Sequence, residues 1–290
     1  MALYRLQPAP EINAPTLVAA FDSWVDAGSA STTAASELAE GGTVLATFDG
    51  DALFDYRSRR PTLDIVDGRP KELTWPEVTL RRSKIGQRDV LVLSGLEPDF
   101  RWRELAADAV ELAKRFGIVE WISLGAIPAA VPHTRPVPIL GTSSKPGLLL
   151  GAVQPGPEGV LRVPSAAISV LDMAISEAGI PAVGYFAQVP HYISGEYPAA
   201  AIELLTAVGR HLGQDVPLEN LREEARELRT RLDAAVAVDE KTRTYVERLE
   251  SMVDEARLPS GDDLIADIER FLRRGGTEGG PEGGSRERLN

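Results

Sequence analysis

Two histidines stand in similar short motifs, each placed just after a predicted β-strand. His133 lies in a Pro-His-Thr-Arg-Pro segment, and His191 lies in a Val-Pro-His-Tyr segment. An imidazole titrates near neutral pH and can serve as a general base or a metal ligand, and Arg135 and Tyr192 stand beside the two histidines. Alternatively, each histidine only hydrogen-bonds the backbone of its loop. The motifs therefore predict either one shared pocket or two structural loops.

A third candidate is the acidic segment Gly-Leu-Glu-Pro-Asp that begins at Gly95. It follows a predicted strand and precedes a predicted helix, and open α/β sheets build their sites at the carboxyl ends of strands. Glu97 and Asp99 could act there as acid, base or metal ligand. The alternative is that Asp99 caps the helix and the proline shapes the loop.

The junction after the first predicted strand is a fourth candidate. It runs Phe-Asp-Ser-Trp-Val-Asp-Ala-Gly and contains Asp22, Trp24, Asp26 and Gly28. A glycine turn that leads into a helix presents free N–H groups to an anion, although two carboxylates would repel a phosphate. Alternatively, Gly28 and Ser29 form a tight turn with a cap, and the tryptophan covers the edge of the sheet. A glycine in such a turn is expected to have a positive φ.

An arginine-rich segment, Asp-Tyr-Arg-Ser-Arg-Arg-Pro, is the fifth candidate. Tyr56, Arg57, Arg59 and Arg60 could bind carboxylates or phosphates, because guanidinium groups bind such anions in a bidentate manner. Alternatively, the arginines form ion pairs at a subunit interface, where arginine and tyrosine are enriched.

Several kinds of catalytic site have no matching pattern in the sequence. Cysteine is absent, which removes thiolate nucleophiles and cysteine-bearing metal sites. There is no His-Glu-x-x-His zinc motif, no Gly-x-Ser-x-Gly nucleophile elbow and no glycine-rich phosphate loop. We therefore expect no metal and no cofactor. The third histidine, His211, lies late in a polar helical segment and is expected at the surface.

The charge balance excludes two classes of partner. The net charge is −12, with 31 basic and 43 acidic residues, whereas nucleic acids and anionic membranes require clustered positive charge. No apolar run approaches the length of a transmembrane helix, and the first residues do not resemble a signal peptide. We expect a cytoplasmic protein that binds neither nucleic acid nor membrane.

Short β-rich runs alternate with helical patterns over the first 216 residues, and several of these strands are apolar on both faces. This pattern predicts an α/β protein with a mostly parallel sheet between helices. The predicted strands are Thr16–Phe21, Thr43–Phe48, Asp89–Leu93, Ile118–Leu124 and Pro181–Phe186. The predicted helices are Ser29–Glu40, Trp102–Phe116, Ser165–Ala178 and Pro198–Leu212. Val78–Lys84 and Leu63–Val66 are expected to form a hairpin insertion.

The charge density rises sharply near Pro217. Residues 217–290 carry 31 charged side chains in 74 positions, whereas residues 1–216 carry 43. We therefore predict an α/β domain over 1–216, a helical subdomain over 217–274 and a disordered tail over 275–290.

Within the helical subdomain, apolar residues recur at helical spacing from position 218 to position 256. No glycine or proline interrupts 218–257, so one long helix and a helical hairpin are both compatible with the pattern. We prefer the hairpin, because Asp239 is a good N-cap for a second helix. A last helix is predicted over Asp263–Arg274.

Taken together, the motifs resemble the PAC2 family, which is named for eukaryotic proteasome assembly chaperones. The resemblance covers about residues 3–212 and, in the bacterial branch, the helical region through Arg274. It is carried by five motifs in order: F-D-x-W-x-D-A-G (21–28), D-Y-R-x-R-R-P (55–61), G-x-E-P-D (95–99), P-H-T-R-P (132–136) and V-P-H-Y (189–192).

The resemblance implies a fold similar to purine nucleoside phosphorylases and a tendency to form homo-oligomers, here expected as dimers or trimers. It also implies a non-enzymatic chaperone-like role, with proteasome subunits as partners. Chaperone members dock through a C-terminal hydrophobic-Tyr-any tripeptide, and Leu289 stands at the tyrosine position here. The alternative is a phosphorylase-like, hydrolase-like or ATP-grasp-like enzyme that acts on a small anionic or nucleoside-like substrate.

Overall fold

The computed structural model of the chain describes residues 2–8, 12, 15–156 and 159–257. In chain order, the strands in these residues are β1 (Tyr4–Leu6), β2 (Thr16–Asp22), β3 (Thr43–Phe48), β4 (Thr62–Val66), β5 (Arg69–Thr74), β6 (Val78–Ile85), β7 (Arg88–Leu96), β8 (Glu120–Ala129), β9 (Ile139–Ser143), β10 (Gln154–Pro155) and β11 (Ala182–Pro190). The α-helices are α1 (Ala30–Ala39), α2 (Gly50–Leu53), α3 (Trp102–Arg115), α4 (Ala167–Glu177), α5 (Pro198–Leu212), α6 (Glu219–Val238) and α7 (Glu240–Arg257).

Nine of these strands form one mixed sheet, in the order β1-β3-β6-β7-β2-β8-β11-β9-β10. The four central strands, β7, β2, β8 and β11, are parallel to one another. The flanking strands β1, β3, β6 and β9 pair antiparallel with the strands that lie inward of them. A short turn between β6 and β7 permits only antiparallel pairing, whereas the central strands are joined through helices. The predicted α/β class is confirmed.

Helices cover both faces of the central strands, as the fully apolar strand sequences require. Along β2, Val18 and Ala20 face a core that includes α1 and α5. Leu17, Ala19 and Phe21 point to the opposite core, which includes α3 and α4. This alternation follows from the two-residue repeat of a β-strand.

The predicted bounds of β3 and α5 agree with the structure at both ends. Strands β8 and β11 extend several residues beyond their predicted carboxyl ends, because they pair in parallel register from Trp121 to Ala129. The extension of β8 contains Gly125 and Pro128, and that of β11 ends at Pro190. These residues disfavour strands, and the ladder between the two strands overrides that local preference.

The predicted hairpin between Leu63–Val66 and Val78–Lys84 is wrong. Strand β6 lies in the large sheet, between β3 and β7. Strand β4 pairs with β5 through a turn at Asp67 and Gly68, whose φ angles are 51° and 75°. Two central residues with positive φ make the two-residue turn that suits the twist of a hairpin, and Asp-Gly is a typical sequence for it. The signal was therefore present in the sequence.

The helical region contains a break at Asp239, where the backbone is extended between α6 and α7. One carboxylate oxygen of Asp239 accepts a hydrogen bond from the Thr242 backbone N–H at 3.1 Å, as an N-cap does. Leu218 and Leu221 are buried at the start of α6, and Val246 and Leu249 are buried in α7. The 218–257 segment therefore forms two helices rather than one.

The predicted last helix, Asp263–Arg274, and the tail 275–290 lie outside the described residues. The division of the chain into an α/β domain and a helical subdomain stays a prediction. In the part of the chain that the structure describes, no helix combines the length and apolar character needed to cross a membrane.

Candidate functional site at the carboxyl edge of the sheet

Apart from the arginine-rich segment, which follows β3 and α2, the predicted site residues lie at or after the carboxyl ends of the four central strands. Backbone bonds join the segments there: the Glu97 N–H donates to the Asp22 carbonyl at 3.1 Å, and the His191 N–H donates to the Ala129 carbonyl at 3.1 Å. Parallel strands bring their carboxyl ends to one edge, so motifs far apart in sequence become neighbours. The hydrogen-bond partners of each side chain then determine whether this edge of the sheet can bind a ligand or instead holds other parts of the protein.

His133 is buried and has a partner at each ring nitrogen. The Tyr192 hydroxyl accepts a hydrogen bond from the His133 backbone N–H at 2.8 Å and lies 2.7 Å from Nδ1. Its own proton therefore points to Nδ1, which leaves the ring proton on Nε2, 3.2 Å from an Asp233 oxygen on α6. Burial lowers the pKa of His133, and the Arg229 guanidinium lowers it further. The two ring contacts of His133 therefore join its loop to Tyr192 and to α6.

His191 is exposed, and both of its ring nitrogens also have partners. Nδ1 lies 3.0 Å from the Ala129 carbonyl and donates to it. Nε2 accepts from the Tyr245 hydroxyl of α7 at 3.0 Å. The ring also packs edge-on against Tyr192, which contacts His133 in the same way. His191 therefore joins its own loop to α7.

Arg135 pairs with two carboxylates of α7. Its Nε and Nη2 donate to the two oxygens of Asp254 at 2.9 and 2.7 Å, in the bidentate geometry that suits guanidinium and carboxylate. Its Nη1 lies 3.3 Å from Glu250, which also accepts a bond from the Thr134 hydroxyl. The guanidinium group of Arg135 is thus occupied by carboxylates of α7 and does not form an open anion-binding site.

We call this set of contacts the helix clamp. It consists of His133, Thr134, Arg135 and His191 in two loops and of Arg229, Asp233, Tyr245, Glu250 and Asp254 in α6 and α7. None of the helix members was predicted from the sequence, because the charged surface of a helix usually faces only solvent. Their one signal is spacing, since Glu250 and Asp254 stand four residues apart, on one side of α7.

A cavity of about 320 Å³ lies between the 133–137 loop, α5 and α6. His133, Arg135, Arg229 and Glu203 contribute its charged and polar lining, with Tyr197 and leucines of α6 beside them. Burial raises the pKa of Glu203. The volume is at the low end for a small-molecule site. His191 does not line this cavity, although its ring and that of His133 both pack against Tyr192.

The Asp22–Gly28 junction is built around a buried carboxylate. Asp26 accepts bonds from the Ser31 backbone N–H and hydroxyl, both at 2.7 Å, and so satisfies the first turn of α1. Ser29, the expected cap, makes no side-chain capping bond. Gly28 has a φ of +66°, as its turn requires. Trp24, the expected cover of the sheet edge, is 56% exposed.

Glu97 and Asp99 bind backbone groups of neighbouring loops. Glu97 accepts from the Ala167 N–H at the start of α4 at 2.7 Å, and burial raises its pKa. Asp99 accepts from the Asp55 N–H at 2.8 Å. Asp99 does not cap α3, because Arg101 stands at that position without a side-chain bond. Both carboxylates therefore tie loops together at this edge.

The arginine-rich segment lies at the surface. The Tyr56 hydroxyl donates to Asp51 at 2.8 Å, and its ring packs on Trp75 with centroids 4.8 Å apart. Arg57 and Arg60 are exposed, and neither forms an ion pair within the described ranges. Gly95, the first residue of the acidic segment, has a φ of +151° and sits against the Glu77 backbone.

The expectation for His211 is wrong, because its side chain is only 9% exposed. Its Nδ1 lies 2.7 Å from the hydroxyl of the buried Tyr185, and its Nε2 lies 3.2 Å from Glu120. The hydrogen bond from His211 lowers the pKa of Glu120. Helix α5 can bury the side chain of His211 because that side chain forms hydrogen bonds with Glu120 at the start of β8 and with Tyr185 in β11.

Reversing the charge of Arg135 is expected to release α7. In Arg135→Glu, the new carboxylate would face Glu250 and Asp254, so amide hydrogen exchange in 240–257 should speed up about tenfold or more while exchange in β2 and β8 stays slow. The same charge change at Arg248, which is exposed on α7, is the control. Unchanged exchange in α7 would show that the ion pairs do not hold the helix.

The sequence of this chain matches the profile of the PAC2 family over residues 20–236. No curated protein matches it significantly. Among the described residues, no three histidine, aspartate or glutamate side chains are grouped so that they could hold a metal ion.

Solved structures give the same assignment. A PAC2 family protein of Streptomyces avermitilis is 34% identical and has a TM-score of 0.71, with 80% of this chain and 99% of that chain covered. A Mycobacterium tuberculosis protein described as a proteasome-assembly chaperone homologue is 32% identical over the same shares, with a TM-score of 0.72. A Corynebacterium glutamicum protein of unknown function is 30% identical, with a TM-score of 0.82 and coverage of 87% and 97%. The chain therefore belongs to the PAC2 family.

Proposed function

We propose that this protein is a non-enzymatic interaction factor of the proteasome-assembly-chaperone type, which works as a homo-oligomer and contacts proteasome α subunits. The helical pair α6–α7 presents the binding surface. The loops at the carboxyl edge of the sheet position that pair. In this proposal His133, Arg135 and His191 are positioning residues rather than catalytic ones.

The helix clamp is the observation that carries the proposal. Both ring nitrogens of His133 and of His191 are bonded within the protein, and Arg135 is paired with Asp254 and Glu250. In the described part of the chain, no buried side-chain nitrogen or oxygen lacks a hydrogen-bond partner. A site whose hydrogen-bonding groups are all paired within the protein suits a scaffold that holds two helices in a fixed position.

The choice of partner class is supported by the similarity to the M. tuberculosis protein described as a proteasome-assembly chaperone homologue. That similarity spans most of this chain and is strong enough to assign both proteins to one family. Because this chain has a net charge of −12, we expect the partner surface to be basic or apolar rather than acidic.

The enzymatic alternative has less support. A general base must reach the proton of its substrate, and the exposed histidine, His191, uses both nitrogens in contacts with Ala129 and Tyr245. Fold similarity to phosphorylases carries no activity with it. A phosphorylase or hydrolase would also need a free nucleophile or phosphate cradle, and the strand-end loops use their polar groups to bind one another.

The proposal is tested by binding to purified proteasome α subunits from the same organism, followed by native mass spectrometry. We expect the full chain to form a defined complex with these subunits. Arg135→Glu should weaken the complex about tenfold or more, because α7 is no longer held in place. Adding Glu250→Arg and Asp254→Arg to that variant restores opposite charges across the clamp and should restore binding.

Two outcomes would contradict the proposal. If the full chain forms no complex with the α subunits at tens of micromolar, the proposed partner is wrong. If Arg135→Glu binds as tightly as the natural protein although its α7 amides exchange faster, the helical pair is not the binding surface.

A further inference from the structure

The cavity between the 133–137 loop, α5 and α6 has an apolar wall to which both helices contribute. Ile202 lines it from α5, and Leu228 and Leu232 line it from α6. At about 30 Å³ for a water-sized group, its volume of about 320 Å³ holds on the order of ten non-hydrogen atoms. The cavity is therefore large enough for a small organic molecule.

Glu203 lines this cavity from α5 and is partly buried. Among the residues that the structure describes, its carboxylate has no hydrogen-bond donor and no cation within ion-pair distance. Burial raises the pKa of Glu203, and the Arg210 guanidinium offsets this effect only in part. A carboxylate withdrawn from water without a partner is unfavourable, and such groups in clefts often mark binding sites.

Tyr197 supplies a second unpaired group. The residue is only 4% exposed, and within the described part of the chain its hydroxyl forms no hydrogen bond. Every fully buried polar side-chain atom in that part has a partner, so this hydroxyl must open onto accessible space. Tyr197 lines the cavity, which provides that space. The cavity therefore offers a ligand a hydrogen bond that the protein itself leaves unmade.

The two arginines that line the cavity are already paired with carboxylates. Arg135 binds acidic residues of α7. Arg229 donates from Nε to Asp233 at 2.8 Å and from Nη1 to the His133 carbonyl at 2.9 Å. Of the charged groups that line the cavity, Glu203 alone lacks an ion-pair partner among the described residues. The cavity therefore favours a cationic group beside Glu203.

We propose that this cavity binds a small aliphatic amine that carries a hydrogen-bond acceptor at its other end. The ammonium group pairs with Glu203, and the aliphatic chain packs on the leucines of α6. The acceptor receives a hydrogen bond from the Tyr197 hydroxyl. Glu203 stands six positions after Tyr197, which corresponds to about 9 Å along a helix, so the two polar ends of the ligand are well separated.

This site goes beyond the proposed function and does not depend on the binding of α subunits. Because α5 and α6 both form its wall, the ligand binds only while α6 is docked. Binding therefore stabilises the docked position of α6 by mass action. At a ligand concentration about ten times Kd, amide hydrogen exchange in 219–238 should slow about tenfold, whereas exchange in β2 should not change.

Isothermal titration calorimetry of the full chain tests the ligand class. The probes are straight-chain amino alcohols of four to eight carbons, with the amine and the hydroxyl at opposite ends, near pH 7, where an aliphatic amine is charged. We expect at least one chain length to bind with a Kd of about 1 mM or tighter. The alcohol of the same length without the amine should bind about tenfold more weakly or worse.

Three variants test the placement of the ligand. Glu203→Gln should weaken binding of the amino alcohol about tenfold or more and leave the plain alcohol unaffected. Glu227→Gln, the same change at an exposed position of α6, is the control and should bind normally. Ala225→Leu fills the cavity from α6 and should abolish binding of both probes. Circular dichroism melting curves should show that all three variants remain folded.

Tyr197→Phe tests the acceptor end. It should weaken binding of the amino alcohol but not that of the alkylamine of the same length, which has no acceptor. Equal affinity of the natural protein and Tyr197→Phe for the amino alcohol would show that the acceptor is wrongly placed.

Three outcomes would overturn the site itself. One is the absence of binding by every amino alcohol in the series. Another is undiminished binding by Glu203→Gln or by Ala225→Leu, which would place the probe elsewhere on the protein. The third is a bound probe that leaves amide exchange in 219–238 unchanged, since a ligand between α5 and α6 must oppose the release of α6.

Discussion

Replacing Gly95 by alanine is expected to lower the free energy of unfolding by about 3–5 kcal/mol, a large fraction of the stability of a typical domain. Gly95 has a φ of +151°, a conformation that residues with a Cβ rarely adopt. A Cβ built there would lie 2.0 Å from the Glu77 carbonyl oxygen. That oxygen belongs to the backbone next to Val78, the residue paired with Gly95, so the strands must separate to relieve the overlap.

The measurement is urea unfolding of Gly95→Ala followed by far-ultraviolet circular dichroism. Gly117→Ala is the matched control, since Gly117 also has a positive φ, +66°, but has no atom within 4 Å of a built Cβ. It should cost only about 1 kcal/mol, from backbone strain alone. Equal losses in the two variants would show that the overlap with Glu77 is not what makes glycine necessary.

Asp172 is expected to make the protein less stable as the pH rises from about 4 to about 7. Burial raises the pKa of Asp172 to about 7, above its ordinary value of 3.8, although Trp121 Nε1 and the Ser123 hydroxyl donate to it at 2.7 and 2.8 Å. Between the two pKa values the folded state holds a proton that the unfolded state has lost, so stability falls with rising pH there and then levels off. At pH 8 the charged carboxylate costs about 2–4 kcal/mol.

Asp172→Asn should remove this dependence. The amide oxygen can still accept from Trp121, and the amide N–H can donate to the Ser123 oxygen, whose proton then serves the Val183 carbonyl, 3.4 Å away. We expect the variant to exceed the natural protein in stability at pH 8 by about 2–4 kcal/mol and to match it near pH 4.

Chemical denaturation at several pH values tests this expectation. Glu177→Gln, an exposed carboxylate on the same helix, is the control and should leave the pH profile unchanged. If Asp172→Asn shows the same fall in stability between pH 4 and pH 7 as the natural protein, another group causes the dependence.

The helices and strands whose bounds were predicted well are those in which the conformation required by packing agrees with the conformational preference of their own residues. Helix α5 begins at a proline and ends before a glycine in the left-handed conformation, both of which are local signals. The same holds for β3, which has the predicted bounds Thr43–Phe48. Strand β6 was misplaced because its partner is chosen by the whole sheet, not by its own residues.

Only part of the candidate functional site could be predicted from the sequence. His133, Arg135 and His191 follow strand ends, so an edge of the sheet could be predicted as their location. Their partners could not, because Arg135 and Asp254 are 119 positions apart and nothing local links them. An isolated acidic residue on a helix carries no sign of whether water or an arginine faces it.

The sequence by itself determined the α/β class, the family resemblance and the set of polar residues at the carboxyl edge. Those features depend on strand periodicity, on short motifs and on the common direction of parallel strands, all of which short segments of the sequence encode. Only the tertiary structure decided that His133, Arg135 and His191 hold α6 and α7, because pairing between residues 54 to 119 positions apart depends on how helices dock. Docking is a sum of many weak contacts between distant segments, and no single segment specifies it.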